Sequence, residues 1–444
     1  MNGVSLLLRL PAGIQRALFE LALRTVGLGR LPHLGMLVHY FRLLGADEGE
    51  FLRTVSRIRS WSAWPERWRE TAGHALEEAR AQEAAGHPVT ARDRYRQAAL
   101  YFALANWRTW DARERARTYE QLLAAYGGFA RLVDPPARSV DIPFAPAPLP
   151  GYLRLPRGPG PHPVVVVVQG MDTVKEVCPV LVEQPLLERG LATLTVDQPG
   201  TGEAQLRGVL FAGPEVLAEA ARAIADFVAS CPELDAARLG IIGFSWGGFV
   251  APYMAAAEPR VRAGAILSAL WEFPEPERAV RTPFYGPILR LMTGIEEPTE
   301  LVALLRRVRL EPVAARIRCP LCIVHGEQDA IVPVEFARRL YDAVSGPRLL
   351  HIIPGADHAA SLHLTHLALL GDWLADHLRA EKDTEGCAAG RIDRQECDVS
   401  TAGCSHQDEP YIGGSSSKSA KANPSRSTTA PRRKATGRAN TGPS

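Results

Sequence analysis

Six short runs in the middle of the chain are apolar at nearly every position rather than at every second one: "PVVVVVQG", "LATLTVDQPG", "RLGIIGFS", "AGAILSAL", "CPLCIVHGEQD" and "RLLHIIPGADH". A strand with one wet face alternates apolar and polar residues. A run without alternation belongs to a strand covered on both faces. Amphipathic stretches separate the runs, so the pattern predicts a mostly parallel sheet held between helices, an α/β fold. It extends from about residue 141 to 380. Between "AGAILSAL" and "CPLCIVHGEQD" lies a longer insert, about 271–316, with several prolines and the amphipathic "ELVALLRRVRL". It reads as a small helical lid.

The flanks differ. Residues 1–140 carry apolar residues at three- and four-residue spacing in "WPERWRETAGHALEEARAQEAAG" and "TARDRYRQAALYFALANW". That is the period of paired helices, with a stop at Gly86 and a candidate cap at Thr90. No second copy follows at a fixed period, so this is a helical domain and not a solenoid. The Pro-rich "VDPPARSVDIPFAPAPLPGY" links it to the sheet or supplies the first strands. Residues 381–444 end in a stretch with no acid and no aliphatic residue larger than Ala. Such a tail buries too little to offset its ordering entropy and is expected to be disordered.

Bulk properties exclude several function classes. The 444 residues include 51 Lys and Arg against 49 Asp and Glu, so no charge imbalance favours nucleic acid or a membrane. The longest run of one aliphatic residue, Val164–Val168, is too short to span a bilayer. The N-terminal Leu cluster lacks the basic start and small-residue cleavage site of a leader. Seven cysteines at irregular spacing make no disulfide framework. A cytoplasmic location is expected. Cys319 and Cys322 form C-x-x-C without a matching pair, so no metal is expected. "VDQPGTGEA" matches neither a phosphate loop nor a dinucleotide fingerprint, so no cofactor is expected.

The chemistry-bearing stretch is "GIIGFSWGGFVAPYMAAA". Gly243-Phe244-Ser245-Trp246-Gly247 fits G-x-S-x-G, the sharp strand-to-helix turn that displays a serine above a sheet. The flanking glycines are expected where a Cβ would strike neighbouring backbone. A serine hydroxyl needs an adjacent base, and the chain order for this turn is Ser, then an acid, then His. Asp329 lies just past one buried strand and His358 just past the last. All three therefore fall at carboxyl ends of strands, the edge where open α/β sheets bind ligands. Asp329 would fix the imidazole tautomer, and His358 would take the serine proton. Among the rivals, His325 is expected in the core, Asp357 in a turn, His351 inside a strand, and His363 and His366 in the last helix. An acyl-transfer serine also needs an oxyanion hole. The expected donors are the backbone N–H groups of Trp246 and of Met171, the latter next to Gly170, which allows close approach. Glu272 follows a strand ending near the site and is a candidate to face the substrate.

These residues resemble the α/β-hydrolases. With "AGHPVTARDRYRQAALYF", "QGMDTVKE" and "DQPGTGEA" added, residues 35 to 380 resemble one branch in particular. It contains 2,6-dihydroxypseudooxynicotine hydrolase, fungal polyketide-shortening hydrolases, and esterases related to the fermentation–respiration switch protein. The resemblance implies a cofactor-independent serine hydrolase whose helical domain caps the pocket. It also implies cleavage of either a C–C bond beside a carbonyl or an ester, and a substrate role for Glu272. The expected partner is a small-molecule carbonyl compound, with aryl ketones and β-dicarbonyls ahead of simple esters and homodimerisation left open. Tyr95, Tyr101, Phe102 and Trp107 are the aromatic side chains that the helical domain could offer to a ring.

Overall fold

The computed structural model describes residues 41–358 and 365–379. The first 40 residues, His363 and the predicted tail lie outside them.

From Glu48 on, four α-helices come before the first strand: α1 (Glu48–Ser56), α2 (Trp64–Ala84), α3 (Pro88–Asn106) and α4 (Ala112–Leu132). On α2 the buried residues are Trp64, Trp68, Ala72, Ala75, Leu76 and Ala79, one stripe at helical spacing. Small alanines let α3 approach closely, and Trp68 packs on Tyr101 with ring centroids 5.5 Å apart. Gly86 ends the first helix of the hairpin, taking φ +79° just past the cap. Thr90 does not cap the second. The helix begins two residues earlier at Pro88, whose fixed φ suits a first helical position. Asp111 caps α4 by accepting from the N–H groups of Arg113 and Glu114 at 3.0 and 2.9 Å. These helices share a hydrophobic core of their own, to which, among the described residues, only Tyr152 and Val177 are added from beyond α4 as buried members.

The chain then builds an eight-stranded sheet: β1 (Arg138–Ile142), β2 (Leu149–Arg154), β3 (His162–Val168), β4 (Ala192–Val196), β5 (Leu234–Phe244), β6 (Val261–Leu267), β7 (Leu321–Gly326) and β8 (Arg348–Ile353). The predicted linker thus supplies two strands, and the sheet starts at Arg138, a few residues before the expected boundary. The order is β1-β2-β4-β3-β5-β6-β7-β8. β2 runs antiparallel to β1 and β4, and the remaining pairs are parallel. This is an α/β-hydrolase fold.

The connecting helices are α5 (Gln184–Leu187), α6 (Gly202–Leu206), α7 (Pro214–Ser230), α8 (Gly247–Ala257), the lid helices α9 (Pro276–Arg281), α10 (Tyr285–Thr293) and α11 (Pro298–Leu305), then α12 (Val334–Ala343) and α13 (Thr365–Leu378). On β3, Val164, Val166 and Val168 enter one core with α7 and α8. Val165 and Val167 enter another with α13. Both faces of the strand are dry, which is why its sequence does not alternate. The order reverses at β3, with β4 on one side and β5 on the other. That switch point opens a crevice beyond the carboxyl ends of β3 and β5.

Candidate active site

β5 ends at Phe244, and Ser245 turns the chain into α8 with φ +57°, a left-handed conformation that costs a non-glycine residue energy. Three glycines make the turn possible. A Cβ on Gly243 would sit 2.0 Å from the Gly247 carbonyl oxygen. One on Gly247 would meet the Val168 oxygen at 2.3 Å, and one on Gly248 the Ser268 oxygen at 2.4 Å. Each contact is with backbone, so no side-chain rearrangement relieves it. Gly170 is different. A Cβ there would meet its nearest neighbours only at 3.5 Å and beyond, so the predicted close approach does not require a glycine.

His358, five residues past β8, places Nε2 2.9 Å from Ser245 Oγ and Nδ1 2.8 Å from Asp329 Oδ2. The ionised carboxylate only accepts, so Nδ1 carries the proton and Nε2 presents a lone pair to the serine O–H. Asp329 is held by more than His358. Its Oδ1 accepts from the N–H groups of Ile331 and Val332 at 2.9 and 2.8 Å, and its Oδ2 accepts from Ser268 Oγ at 3.1 Å. Burial pushes this carboxyl up, but the bond and charge of His358 and the Val332 N–H outweigh it, and the net effect lies below the usual carboxylate range. His325 is buried, as expected. It donates from Nε2 to the Val332 carbonyl at 2.9 Å, and burial pushes its pKa down.

The sequence reading missed Ser268. It follows β6 with φ +57°, the same conformation as Ser245, and its carbonyl abuts Gly248. The available signal was a lone hydroxyl ending the apolar run "AGAILS" one strand over from the nucleophile turn.

Trp246 is the first residue after the serine, and Met171 stands in the turn after β3. Neither backbone N–H donates to another described residue. The Trp246 indole packs edge-on to Phe211 at 5.1 Å in the core. Glu272 makes its contacts with α12 and Arg309 rather than with the triad. Its carboxylate lies 3.6 Å from Arg339 on α12, and its backbone bridges to Arg309. Tyr95, Tyr101 and Phe102 are core residues. Tyr95 donates to Glu83 and Tyr101 to Glu50. Only Trp107 reaches the lid, edge-on to Phe284 at 5.6 Å.

Asp172 was not singled out, yet it lies near the serine turn. A Cβ on Gly170 would be 3.5 Å from Asp172 Oδ1 and 3.6 Å from Ser245 Cβ, so both adjoin one point. Its side chain is accessible, while burial pushes its carboxyl up against the opposing influence of His358, Arg108 and Trp107. Tyr285 on the lid senses the charges of Asp172, Asp329 and Arg108. The turn after β3, the turn after α3 and the start of α10 thus lie within electrostatic reach of one another and of the triad.

The other half of "GMDTVKE" is structural. Lys175 Nζ lies 2.6 Å from Glu176, 3.2 Å from Asp197 and 2.7 Å from Glu203, and the Tyr119 hydroxyl of α4 lies 3.1 Å from Glu176 and 3.2 Å from Asp197. This network ties the helical region to the sheet edge. Among the described residues no group of three or more His, Cys, Asp or Glu is arranged to hold a metal ion, and no helix is long and apolar enough to cross a membrane.

Comparison with known proteins places the chain among hydrolases. The family described as esterase FrsA-like matches residues 45–280, and the prolyl oligopeptidase family matches residues 182–381. A 2,6-dihydropseudooxynicotine hydrolase from Paenarthrobacter nicotinovorans is 29% identical over 330 residues, 72% of this chain and 86% of that protein. The α/β hydrolase xenA from Xenoacremonium sinensis is 32% identical over 245 residues, 51% of this chain and 57% of that protein. The crystal structure of 2,6-dihydroxy-pseudo-oxynicotine hydrolase superposes with a TM-score of 0.69 at 26% identity, covering 77% of this chain and 95% of that one.

Proposed function

Since this chain belongs to the FrsA-like esterase family and is an α/β-hydrolase enzyme, we propose that it is a serine hydrolase in which Ser245 attacks a substrate carbonyl. The observation that carries the reading is His358 bridging Ser245 Oγ and Asp329 Oδ2 at hydrogen-bond distance on both sides. The serine proton passes to His358 Nε2 as Oγ bonds to the carbonyl carbon. The new oxyanion sits on the N–H groups of Trp246 and Met171, worth roughly 100- to 1000-fold per donor. Asp329 holds the tautomer and then faces an imidazolium. The tetrahedral adduct collapses as the scissile bond breaks and the leaving group takes a proton. Water then repeats the sequence on the acyl-enzyme and frees the acid.

The scissile bond in this reading is the C–C bond of an aryl ketone or β-dicarbonyl. A carbanion leaves less readily than an alkoxide and needs a proton delivered at carbon. Asp172, pushed toward its neutral form near the serine turn, would relay to that carbon the proton His358 took from Ser245, which leaves His358 neutral to activate the water. The helical domain, residues 1–140 in the sequence reading, acts as the cap that excludes water. The location is cytoplasmic, a reading supported by the free thiols of Cys178, Cys231, Cys319 and Cys322.

A second reading, a carboxylesterase with the same triad, is favoured by the family match itself. A fluorophosphonate probe should label wild type and not Ser245→Ala; labelling of both would end the serine assignment. A panel of aryl esters, β-diketones and aryl ketones then separates the bonds. The C–C reading expects higher kcat/KM for the ketones, and a larger loss for them than for esters in Asp172→Asn. Esters ahead by orders of magnitude, with Asp172→Asn silent, would leave the carboxylesterase.

A further inference from the structure

Among the described residues three Lys and Arg side chains are buried, and two of them are matched. Lys175 faces three carboxylates, and Arg154 pairs with Glu183 at 3.2 Å. The third is Arg108, in the turn between α3 and α4. It is 9% exposed, and no ion pair or side-chain hydrogen bond engages its guanidinium among the described residues. Its Nε is fully buried without a partner. Four rings surround it instead, with Cζ 4.7 Å from the Trp61 centroid, 4.6 Å from Trp107, 5.9 Å from Trp110 and 4.3 Å from Phe284 on the lid. Ring faces stabilise a cation but accept few of its five N–H donors. Burial pushes its pKa down to about 10, with the charges of Asp172 and Tyr285 acting in the opposite sense, so it stays charged at neutral pH.

Arg108 also lies within electrostatic reach of groups around the triad. Asp172 senses both Arg108 and His358, and Tyr285 senses both Arg108 and Asp329. A charged guanidinium left without acceptors and set among four rings is complementary to an anionic oxygen.

We propose that Arg108 binds a carboxylate or phenolate oxygen of the substrate, so that the preferred substrates carry an anionic group at the end remote from the scissile carbonyl. This rests on the serine-hydrolase reading of the neighbouring triad. The guanidinium supplies the donors, and the rings of Trp107 and Phe284 cover the group that carries the anion. Ring stacking alone would make Arg108 a strut between helical region and lid, indifferent to substrate charge.

The test compares p-nitrophenyl half-esters of succinate, glutarate and adipate with neutral p-nitrophenyl esters of equal chain length. For wild type, the best half-ester should exceed its neutral counterpart in kcat/KM by roughly 10- to 100-fold. Arg108→Gln should bring that ratio toward one, and Arg108→Lys should keep part of it. A second arm measures competitive inhibition by benzoate against benzamide, and by 2,4-dinitrophenolate against 1,3-dinitrobenzene. A preference confined to one pair tells a carboxylate from a phenolate. Should Arg108→Gln fail to fold, the wild-type ratios and Arg108→Lys still decide. Equal rates and equal inhibition for charged and neutral members would overturn the proposal. If wild type turns over no ester and the fluorophosphonate leaves Ser245 unlabelled, the hydrolase reading fails instead. Calorimetric binding of benzoate against benzamide to wild type and Arg108→Gln then judges Arg108 alone.

Discussion

Asp329 and Glu176 are both buried carboxyl groups near the carboxyl edge of one sheet, yet one is held ionised and the other is pushed toward its neutral form. The difference lies in the supply of donors. Two backbone N–H groups, the Ser268 hydroxyl and His358 converge on Asp329. Glu176 shares a single ammonium with Asp197 and Glu203, and a single hydroxyl with Asp197. Burial therefore raises Glu176 to about 7, with Lys175 opposing and Asp197 adding to the rise. A donor-saturated anion suits a partner that becomes a cation during a reaction. A donor-poor one suits a tether, here between α4 and the turn after β3.

The largest effects should come from the saturated site. Ser245→Ala or His358→Ala should lower kcat roughly 10⁴- to 10⁶-fold, and the double variant should be little worse than either alone. Asp329→Asn should cost about 10⁴-fold, because an amide can donate to Nδ1 and favour the wrong tautomer. Near-wild-type turnover in any of these, measured on the best substrate of the panel, would refute the triad. Ser268→Ala should cost less, since three donors to Asp329 remain.

At the tether the first readout is stability. Lys175→Met leaves Glu176, Asp197 and Glu203 without their shared cation, and a loss of about 3–5 kcal/mol is expected in urea unfolding. A loss below about 1 kcal/mol would show that the network adds little.

The two carboxyls should also differ in the sign of their pH dependence. Glu176 has a folded pKa above its unfolded value of 4.5. The folded state therefore binds the extra proton between the two, and the associated stability is lost as pH rises through about 7. Glu176→Gln should match wild type in Tm near pH 4 and exceed it by a few degrees near pH 8. A Tm difference independent of pH would break the comparison. Asp329 has a folded pKa below its unfolded value of 3.8, so its contribution is present above that value and disappears as pH falls through the lower one.

Glu272→Gln should show the smallest effect. Its partner Arg339 is half exposed, and such pairs contribute within about 1 kcal/mol. Turnover of every substrate class should stay within about threefold of wild type. A selective loss on ketones would restore the substrate role that the resemblance implies.

The strands, the nucleophile turn and the order Ser245, Asp329, His358 were legible because their signals are local. Unbroken apolar runs mark buried strands, and glycines mark the turn. Parallel strands send their carboxyl ends to one edge, so residues just past three of them are neighbours without any measured distance. Thr90 misled because a good capping residue was read without weighing Pro88 two positions earlier.

What only the tertiary structure decided is the pairing of buried polar groups across elements. Tyr119 meets Asp197 across 78 positions of sequence, and Arg108 meets Phe284 of the lid across a still longer separation. Nothing in the periodicity of α3 or of "GMDTVKE" distinguishes Arg108, Asp172 and Lys175 from ordinary surface charges. Desolvation separates them: in water a charge needs no partner, and only packing against a distant segment creates the need that a carboxylate, a ring or a substrate then meets.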